Sequence, residues 1–392
     1  MLWTTRAAVL VVAIFAALSF GPAAGGLAER NQDVFDEPEL TRAVAEPVLS
    51  PLARWDAAWY LRIADSGYAG SHARAAFFPL YPLLVRAVAA PFGASPAALL
   101  IAAYAVALAA FFGALVLLHR LVSLELGRPI AQPTLLLLAV FPASVFFGAP
   151  YSESLFLLLA VGAFYAARTD RWAWAGAAVA GAAATRSAGV LLLIPLVMLW
   201  WTSRPRRRSD AAWLLLGPLG LAAYAAFLGL AEGDAWRFLD IQDAWSRELT
   251  IPLAGAWDGF TAAVDGARQL LSGQREVVYF EQAAGDPYRI AAINLMLFGA
   301  LVFAVVACLG CLRRLPKAYG AWVAVSLVLP LTFPVKPQPL MSLPRFLAVL
   351  FPLFMWLALW SEERRATASV AAVSAVGLGL FTAQFASWHW IS

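Results

Sequence analysis

Residues 97–118 read AALLIAAYAVALAAFFGALVLL, a stretch without a charged side chain that is long enough to cross a lipid bilayer as an α-helix. Comparable runs recur along the 392 residues, of which 62% are hydrophobic and 13% charged. Soluble domains are about half apolar and about a quarter charged, so this chain has too much apolar surface for an aqueous fold. The composition predicts an all-α polytopic membrane protein, formed by residues 1–392 as a single domain.

About eleven apolar runs are candidates for transmembrane helices. They cover residues 7–27, 97–118, 133–149, 152–167, 172–185, 188–202, 211–231, 290–312, 318–335, 346–360 and 367–388. The short connections between them are rich in arginine and lysine, which favours the cytoplasmic side of a membrane. Strict alternation then predicts a cytoplasmic N-terminus near Arg6. The first run could instead be a cleaved signal peptide, because small residues occupy positions 23–26, and either alternative leaves the next segment outside.

Two long segments fall on the predicted extracytoplasmic side, residues 29–96 and residues 232–289. Loops of this length in a compact protein are usually functional. In the first loop, the spacing of residues 55–64 predicts a helix. Residues 77–86 predict a second, apolar helix that is too short to span and suits the outer membrane surface. We therefore expect the first loop to be helical and to carry the site.

Asp56 is the strongest candidate for chemistry in the first loop, and it lies between Trp55 and Trp59. A carboxylate at the membrane edge could accept the proton of an acceptor hydroxyl while that oxygen attacks the anomeric carbon of a lipid-linked sugar. The alternative is a carboxylate in the first turn of a helix, stabilised there by the helix dipole.

A departing lipid phosphate needs a cation, and a guanidinium can bind two phosphate oxygens at once. Arg186 and Arg345 lie at the predicted outer ends of spans and are candidates for this role, with Lys336 as a weaker one. Glu153 also lies at an outer end and could bind sugar hydroxyls or hold an arginine. The alternatives are snorkelling or simple ion pairing for each arginine, and a helix start capped by Ser152 beside Glu153.

Several common motifs are absent from the sequence. It contains no Walker loop, dinucleotide-binding glycine loop, H-E-x-x-H or G-x-S-x-G pattern. An Asp-x-Asp pair, the usual ligand of a metal-bound nucleotide sugar, is also missing, which favours a lipid-borne donor used outside the cytoplasm. His72 has no neighbouring histidine and the net charge of +4 is modest. We therefore predict no metal site, no cofactor and no nucleic-acid partner.

Five stretches together resemble the PIG-V-like family, that of the GPI mannosyltransferase adding the second mannose and of its bacterial relatives. They are RWD at 54–56, continuing to Ile63-Ala64 and Gly67-Tyr68; AFFPLYPL at 76–83; PYSES at 150–154; TRS at 185–187; and SLPRF at 342–346. They occur in the family's order. The resemblance implies a GT-C-type multispanning fold and a mannosyltransferase that uses a polyprenyl-phosphate donor, inverts the anomeric centre in a single displacement and needs no metal.

Carried onto this sequence, the resemblance implies that Asp56 is catalytic and that Arg186 and Arg345 bind the donor phosphate. Substrate-binding roles are expected for Arg54, Trp55, Trp59, Tyr60, Tyr81 and Glu153. The alanine-rich composition, with more arginine than lysine, suggests a bacterial plasma membrane, where the acceptor would be a cell-envelope glycolipid or glycan. Residues 232–289 match nothing that can be aligned with the family, and acceptor recognition is expected there.

A multispanning lipid or sugar transporter or flippase is the alternative function. Such proteins usually show repeated halves and ionisable groups near the membrane centre. No repeat is evident here, and the predicted spans are almost free of charge. An intramembrane hydrolase would need a Ser/His pair, whereas the three histidines fall in different parts of the predicted topology.

Overall fold

The computed structural model describes residues 2–20, 46, 48–203, 207–245, 247, 249–273, 286–335, 338–389 and 391. The α-helices are α1 (Leu2–Phe20), α2 (Asp56–Ser66), α3 (Leu80–Ala89), α4 (Pro96–Leu126), α5 (Arg128–Val140), α6 (Glu153–Arg168), α7 (Trp172–Thr185), α8 (Leu193–Thr202), α9 (Arg208–Trp213), α10 (Leu219–Ala231), α11 (Arg237–Asp240), α12 (Ala254–Ser272), α13 (Pro287–Arg314), α14 (Lys317–Thr332), α15 (Leu343–Ala348), α16 (Phe351–Glu363) and α17 (Thr367–Ala386). These described residues contain no β-strand, so the all-α prediction is confirmed. The predicted cleavage region at 23–26 and the candidate Lys336 lie outside them.

Local sequence signals set the ends of the long helices. The Ser95 side chain accepts a hydrogen bond from the Ala98 N–H and so caps α4, whose first residue is a proline. Asp286 caps α13 in the same way through the Tyr288 N–H, 3.0 Å away, again with proline at the first position. Between α4 and α5, Gly127 has φ 88°, a conformation in which side chains are strained. These caps satisfy N–H groups that a helix start would leave unpaired.

Five helical stretches among the described residues are long and apolar enough to cross a membrane. They are Trp3–Phe20, Pro96–Leu126, Arg208–Ala231, Pro287–Arg314 and Thr367–Ala386. Shorter apolar helices include Arg128–Val140, Ser187–Thr202 and Lys317–Thr332. The count of about eleven spans therefore stays a prediction, while the succession of apolar helices agrees with it.

Several predicted spans are broken helices. The run 133–149 is divided at Phe141, where α5 gives way to a 3-10 helix at Pro142–Phe147. The run 188–202 begins as a 3-10 helix at Ser187–Leu192 before α8, and the run 346–360 is divided between α15 and α16. Pro142 and Pro352 stand at two of these breaks, and proline lacks the N–H that would continue a helix. Such irregular backbone is tolerated in membranes where protein packs around it.

Arg6 stabilises one of these breaks. Its guanidinium is buried and donates to the carbonyl oxygens of Ala139 (2.7 Å) and Ser144 (2.5 Å). It also lies over the ring of Phe111, 5.2 Å from the centroid. Arg6 is expected to face the cytoplasm at the end of the first span, but its guanidinium is a buried hydrogen-bond donor. Arg6 therefore gives no support to the predicted orientation.

Helices α2 and α3 confirm the expected helical character of the first long loop. Both belong to the main core, in which α2 packs on α3 and both pack on α4. The Tyr81 hydroxyl on α3 donates to the Ala103 carbonyl of α4 over 3.0 Å. The helix expected on the outer membrane surface is therefore also held to the helical bundle by a buried hydrogen bond.

Small residues allow α10 to approach α7 closely. A Cβ atom at Gly220 would lie 1.9 Å from the Ala180 carbonyl oxygen and 2.8 Å from the Ala184 nitrogen. We predict that Gly220→Ala lowers the free energy of unfolding by about 1–3 kcal/mol, because the backbone of α7 cannot yield as a side chain would.

Gly299→Ala is the matched control, since nothing lies within 4 Å of a Cβ added there on α13. This substitution should be neutral or slightly stabilising, because alanine favours a helix over glycine by about 1 kcal/mol. Both variants are compared by unfolding in detergent. Equal stability of the two variants would contradict the close packing of α10 on α7.

Candidate active site

Asp56 is the first residue of α2, and an unusual backbone conformation places it there. Trp55, immediately before it, has φ 54°, which is strained for a residue with a side chain. The turn is fixed by the buried Tyr151, whose hydroxyl accepts from the Asp56 N–H (3.1 Å) and donates to the Arg54 carbonyl (2.8 Å). The tyrosine of the PYSES stretch thus fixes the start of the helix that carries the acid.

A chain of charged groups connects Asp56 to Glu153. Arg345 donates from Nη1 to Asp56 Oδ2 and from Nε to Glu153 Oε1. Arg186 donates from Nη1 to the same Glu153 oxygen over 2.6 Å. Glu153 is fully buried and Arg345 nearly so, whereas the Asp56 and Arg186 side chains retain 17% and 19% of their exposure. The buried members hold the partly exposed ones in place.

Aromatic rings surround the Arg345 guanidinium. It lies 4.7 Å from the ring centroid of Tyr151 and 5.3 Å from that of Phe146, both within the range of cation–π attraction. The helix that carries Arg345, α15, also follows a strained residue, Ser342 with φ 70°. Both sides of the Asp56–Arg345 pair are therefore presented by strained turns, a feature that clusters at functional sites.

Asp56 and the arginines lie in the wall of a cavity of about 260 Å³. Its polar lining includes Asp56, Tyr60, Arg186, Gln242, Arg247 and Arg345. Most of the remaining lining is apolar and includes Ala188, Leu329, Pro330, Phe333, Phe156, Val349 and Leu350. Trp322 and Ser326 of α14 belong to the same wall. The cavity thus combines charged groups with a largely apolar lining.

Tyr60 is the other residue of α2 that lines the cavity. Its hydroxyl shares a hydrogen bond of 2.8 Å with the Ser152 Oγ. Burial, reinforced by the negative charge of Glu153, raises the pKa of Tyr60 to about 12. The hydroxyl therefore stays protonated at neutral pH and is available as a donor or acceptor, not as a base.

Five of the predicted substrate-binding residues lie outside the cavity wall: Glu153, and four residues that pack into the protein around it. Arg54 is buried and donates to the carbonyls of Ser50 (2.6 Å) and Ala386 (3.1 Å), which fastens the first loop to α17. Trp55 packs edge-on against Trp388 with 6.0 Å between ring centroids. Arg54 and Trp55 thus fix the position of the backbone immediately before Asp56.

The other two residues shape the neighbouring core. Trp59 stacks on Phe77 with 5.5 Å between ring centroids, and Tyr81 makes the hydrogen bond to α4 described above. Glu153 does not line the cavity; it lies behind the arginines, and its Oε2 is buried without a hydrogen-bond partner among the described residues. Trp59, Tyr81 and Glu153 thus support the site through packing, hydrogen bonds or ion pairs, and they do not line the cavity.

Arg247 is a cavity residue that the sequence did not single out. Its Nη1 donates to the Phe333 carbonyl over 3.3 Å, and its guanidinium lies 5.8 Å from the Phe346 ring centroid. Burial, and next the charge of Arg345, lowers the pKa of Arg247 to about 10, so it remains a cation at neutral pH. No local pattern in the second long loop distinguishes this arginine from its neighbours.

The two long loops meet beside the cavity. His72 Nδ1 of the first lies 3.1 Å from Glu232 Oε2 of the second, and the Tyr224 hydroxyl donates to the Ala75 carbonyl over 2.9 Å. Phe238, Gln242 and Arg247 then contribute to the cavity wall. Over the described part of the chain, no group of three or more metal-binding side chains comes together.

The fold and the site define a polytopic helical membrane protein with a buried acid–arginine centre. The sequence profile of the mannosyltransferase (PIG-V) family matches residues 5–199, just under half of the chain. This match confirms the predicted resemblance. Asp56, Glu153 and Arg186 fall within the matched region, whereas Arg247 and Arg345 follow it.

Curated relatives agree with this assignment. The chain is 34% identical to GPI alpha-1,6-mannosyltransferase 2 of Rattus norvegicus over 176 residues, which cover 42% of this chain and 35% of that protein. It is 34% identical to the enzyme of the same name from Homo sapiens over 148 residues, 34% of this chain and 30% of that protein. The matched stretch thus spans about a third of the length of these relatives.

Solved structures of two other proteins align with most of this chain at low identity. One is the archaeal oligosaccharyltransferase AglB from Archaeoglobus fulgidus, with a TM-score of 0.47 and 12% identity over 99% of this chain and 56% of that chain. Another is ArnT from Cupriavidus metallidurans, with a TM-score of 0.41 and 16% identity over 98% of this chain and 76% of that chain.

The ion-pair chain generates a stability prediction. Glu153→Gln keeps the shape of the side chain but leaves Arg345 and Arg186 without the charge that offsets their burial. We predict a loss of about 3–5 kcal/mol in the free energy of unfolding, the range for breaking a buried ion pair by removing one partner.

Glu363→Gln is the control, because Glu363 pairs with Arg314 at the surface, where solvent screens the charges. It should leave the unfolding midpoint in detergent unchanged. If Glu153→Gln were as stable as Glu363→Gln, the carboxylate of Glu153 would not be the group that holds the two arginines.

Proposed function

We propose that this protein is a membrane glycosyltransferase that moves mannose from a polyprenyl-phosphate donor to a glycolipid or glycan acceptor at the extracytoplasmic face of a bacterial plasma membrane. The observation that carries the proposal is a carboxylate, Asp56, placed beside arginines in the wall of a cavity whose lining is mainly apolar. A lipid-linked sugar phosphate presents matching groups: a sugar, an anion and an apolar chain. The match of residues 5–199 to a mannosyltransferase family supports mannose as the sugar.

Asp56 acts as the general base in this proposal. Its Oδ2 is held by Arg345, and the residue lines the cavity, so its second oxygen is available to an acceptor hydroxyl. As the acceptor oxygen forms a bond to the anomeric carbon, its proton passes to Asp56. The bond from that carbon to the phosphate oxygen breaks, and the bonding electrons leave with the lipid phosphate. A single displacement of this kind inverts the anomeric configuration.

The arginines stabilise the leaving phosphate. Three of them, Arg186, Arg247 and Arg345, accompany two carboxylates, which gives the cluster a net charge of +1. Arg345 already bridges two acids, and Arg186 shares one of them. Among the described residues, Arg247 makes no ion pair, so its full charge is available to the anion. Negative charge grows on the phosphate as the sugar leaves, so this interaction strengthens in the transition state.

The apolar lining of the cavity suits the lipid part of the donor. Ala188, Leu329 and Phe333 belong to this lining. A polyprenyl chain gains by leaving no apolar surface in contact with water, and these side chains offer it apolar contacts. The second long loop contributes Gln242 and Arg247 to the cavity wall, and we assign acceptor recognition to this loop.

Replacement of the base tests the reaction. We predict that Asp56→Asn lowers kcat for mannose transfer by about 10²–10⁴-fold, because asparagine cannot take the proton. Initial rates are measured on protein in nanodiscs with polyprenyl-phosphate mannose and an envelope lipid extract as acceptor.

Asp65→Asn is the matched control on the same helix, since Asp65 pairs with Arg62 and lies outside the cavity wall. It should transfer at the wild-type rate. A folded Asp56→Asn protein with wild-type turnover would exclude Asp56 as the base.

Removal of the third arginine tests donor binding. We predict that Arg247→Gln raises KM for the donor by about 10–100-fold, the value of a hydrogen bond to a charged group. Arg247→Lys should recover part of this loss, because it restores the charge without the planar fork.

Arg268→Gln is the control in the same loop, where the side chain is 75% exposed and pairs only with Asp265 in the described structure. Its KM should match that of the wild type. An Arg247→Gln protein with unaltered donor KM would show that the phosphate is bound elsewhere.

A further inference from the structure

Two polar atoms on cavity-lining residues of α14 are buried without a hydrogen-bond partner among the described residues. They are Nε1 of Trp322, on a side chain that is fully buried, and Oγ of Ser326. Both residues line the cavity. Burying such a group without a partner costs free energy, and in native structures the unpaired group usually marks an absent water or ligand.

The arrangement of α14 adds a third polar group. Trp322, Ser326 and Pro330 follow one another at intervals of four residues, so they share one face of the helix, and all three line the cavity. Because Pro330 has no N–H, the Ser326 carbonyl loses its usual partner within the helix. One helix face therefore offers an indole donor, a hydroxyl that can donate or accept, and a carbonyl acceptor.

The surroundings of these groups are apolar. Phe156, one turn along α6 from Glu153, packs against the Trp322 ring with 6.4 Å between centroids, and Val349 and Leu350 also line the cavity. An apolar chain would leave the three polar groups unpaired. A ring that carries hydroxyl groups would pair with both donors and acceptors, because each hydroxyl has both capacities.

We propose that the Trp322–Ser326 face of α14 is the subsite that binds hydroxyl groups of the transferred sugar. The inference rests on the proposed glycosyltransferase function and deepens it by assigning sugar recognition to residues that share the cavity wall with the acid and the arginines. The sugar hydroxyls bind Nε1 of Trp322 and the Oγ and carbonyl oxygen of Ser326. The phosphate then lies beside the arginines and the lipid chain against the apolar lining. Trp322 and Ser326 are specificity residues in this arrangement, and they take no part in proton transfer.

The test compares Trp322→Phe and Ser326→Ala with the wild type in nanodiscs, using polyprenyl-phosphate mannose and a panel of donors that each lack one sugar hydroxyl. We expect each variant to raise KM for the complete donor by about 2–10-fold, the value of one neutral hydrogen bond. At least one deoxy donor should bind the wild type less tightly than the complete donor. The variant that lacks the corresponding protein group should no longer distinguish those two donors.

Trp172→Phe and Ser123→Ala are matched controls. Each removes a buried polar atom that also has no partner in the described structure, but at a position outside the cavity wall. Both controls should keep the wild-type KM and the wild-type preference among deoxy donors. The ligand-free cavity variants should melt no lower than the controls, since the atoms they lose make no hydrogen bond within the described part of the chain.

Two outcomes would overturn the inference. If the wild type uses the donor and both cavity variants keep its KM and its discrimination, the polar face binds water only and the sugar lies elsewhere. If the cavity variants melt well below the controls while discrimination is unchanged, Trp322 and Ser326 serve packing alone. A wild-type protein that neither binds nor uses the donor would instead contradict the proposed function, and the subsite with it.

Discussion

The site depends on one buried carboxylate oxygen, Oε1 of Glu153, which accepts hydrogen bonds from both Arg186 and Arg345. A guanidinium is costly to bury in a medium of low dielectric constant unless a charged partner lies close to it. With Glu153 in place, Arg345 can remain buried and extend its other nitrogen to Asp56. Asp56 is thereby held in place by Glu153 and Arg345, which lie 97 and 289 positions further along the chain. The position of the Asp56 carboxylate is therefore set before any substrate binds.

Charge balance separates the roles of the three arginines. Arg345 is neutralised by two acids and serves mainly to position Asp56, whereas Arg247 is held by a backbone carbonyl and an aromatic ring. A cation without an acidic partner, beside a mainly apolar cavity, is an attractive site for an anion at the end of a lipid. The second long loop supplies Arg247, and the contact between His72 and Glu232 fastens this loop to the first. Both loops are thus needed for the proposed donor site.

Much of this arrangement follows from the sequence, because its signals are local. Long apolar runs predict the helices, and the spacing around Asp56 predicts α2. The resemblance to the PIG-V-like family implies substrate-binding roles for Trp55, Trp59 and Tyr81. On a helix, Asp56 and Tyr60 share one face four residues apart, and that face meets the cavity. Trp55 and Trp59 turn instead towards Trp388 and Phe77. The ion pairs of Arg345, the helix breaks and the position of Arg247 depend on contacts between distant segments, which no local pattern encodes.

The central claim is a single displacement at the anomeric carbon, with Asp56 as the base. The most direct measurement is the anomeric configuration of the product, determined by NMR after transfer from a polyprenyl-phosphate mannose of defined configuration. The account predicts that the new glycosidic bond has the opposite configuration to that of the donor, because one displacement inverts the centre. A product that retains the donor's configuration would require a covalent intermediate or another route, and it would contradict the assignment of Asp56 as a general base.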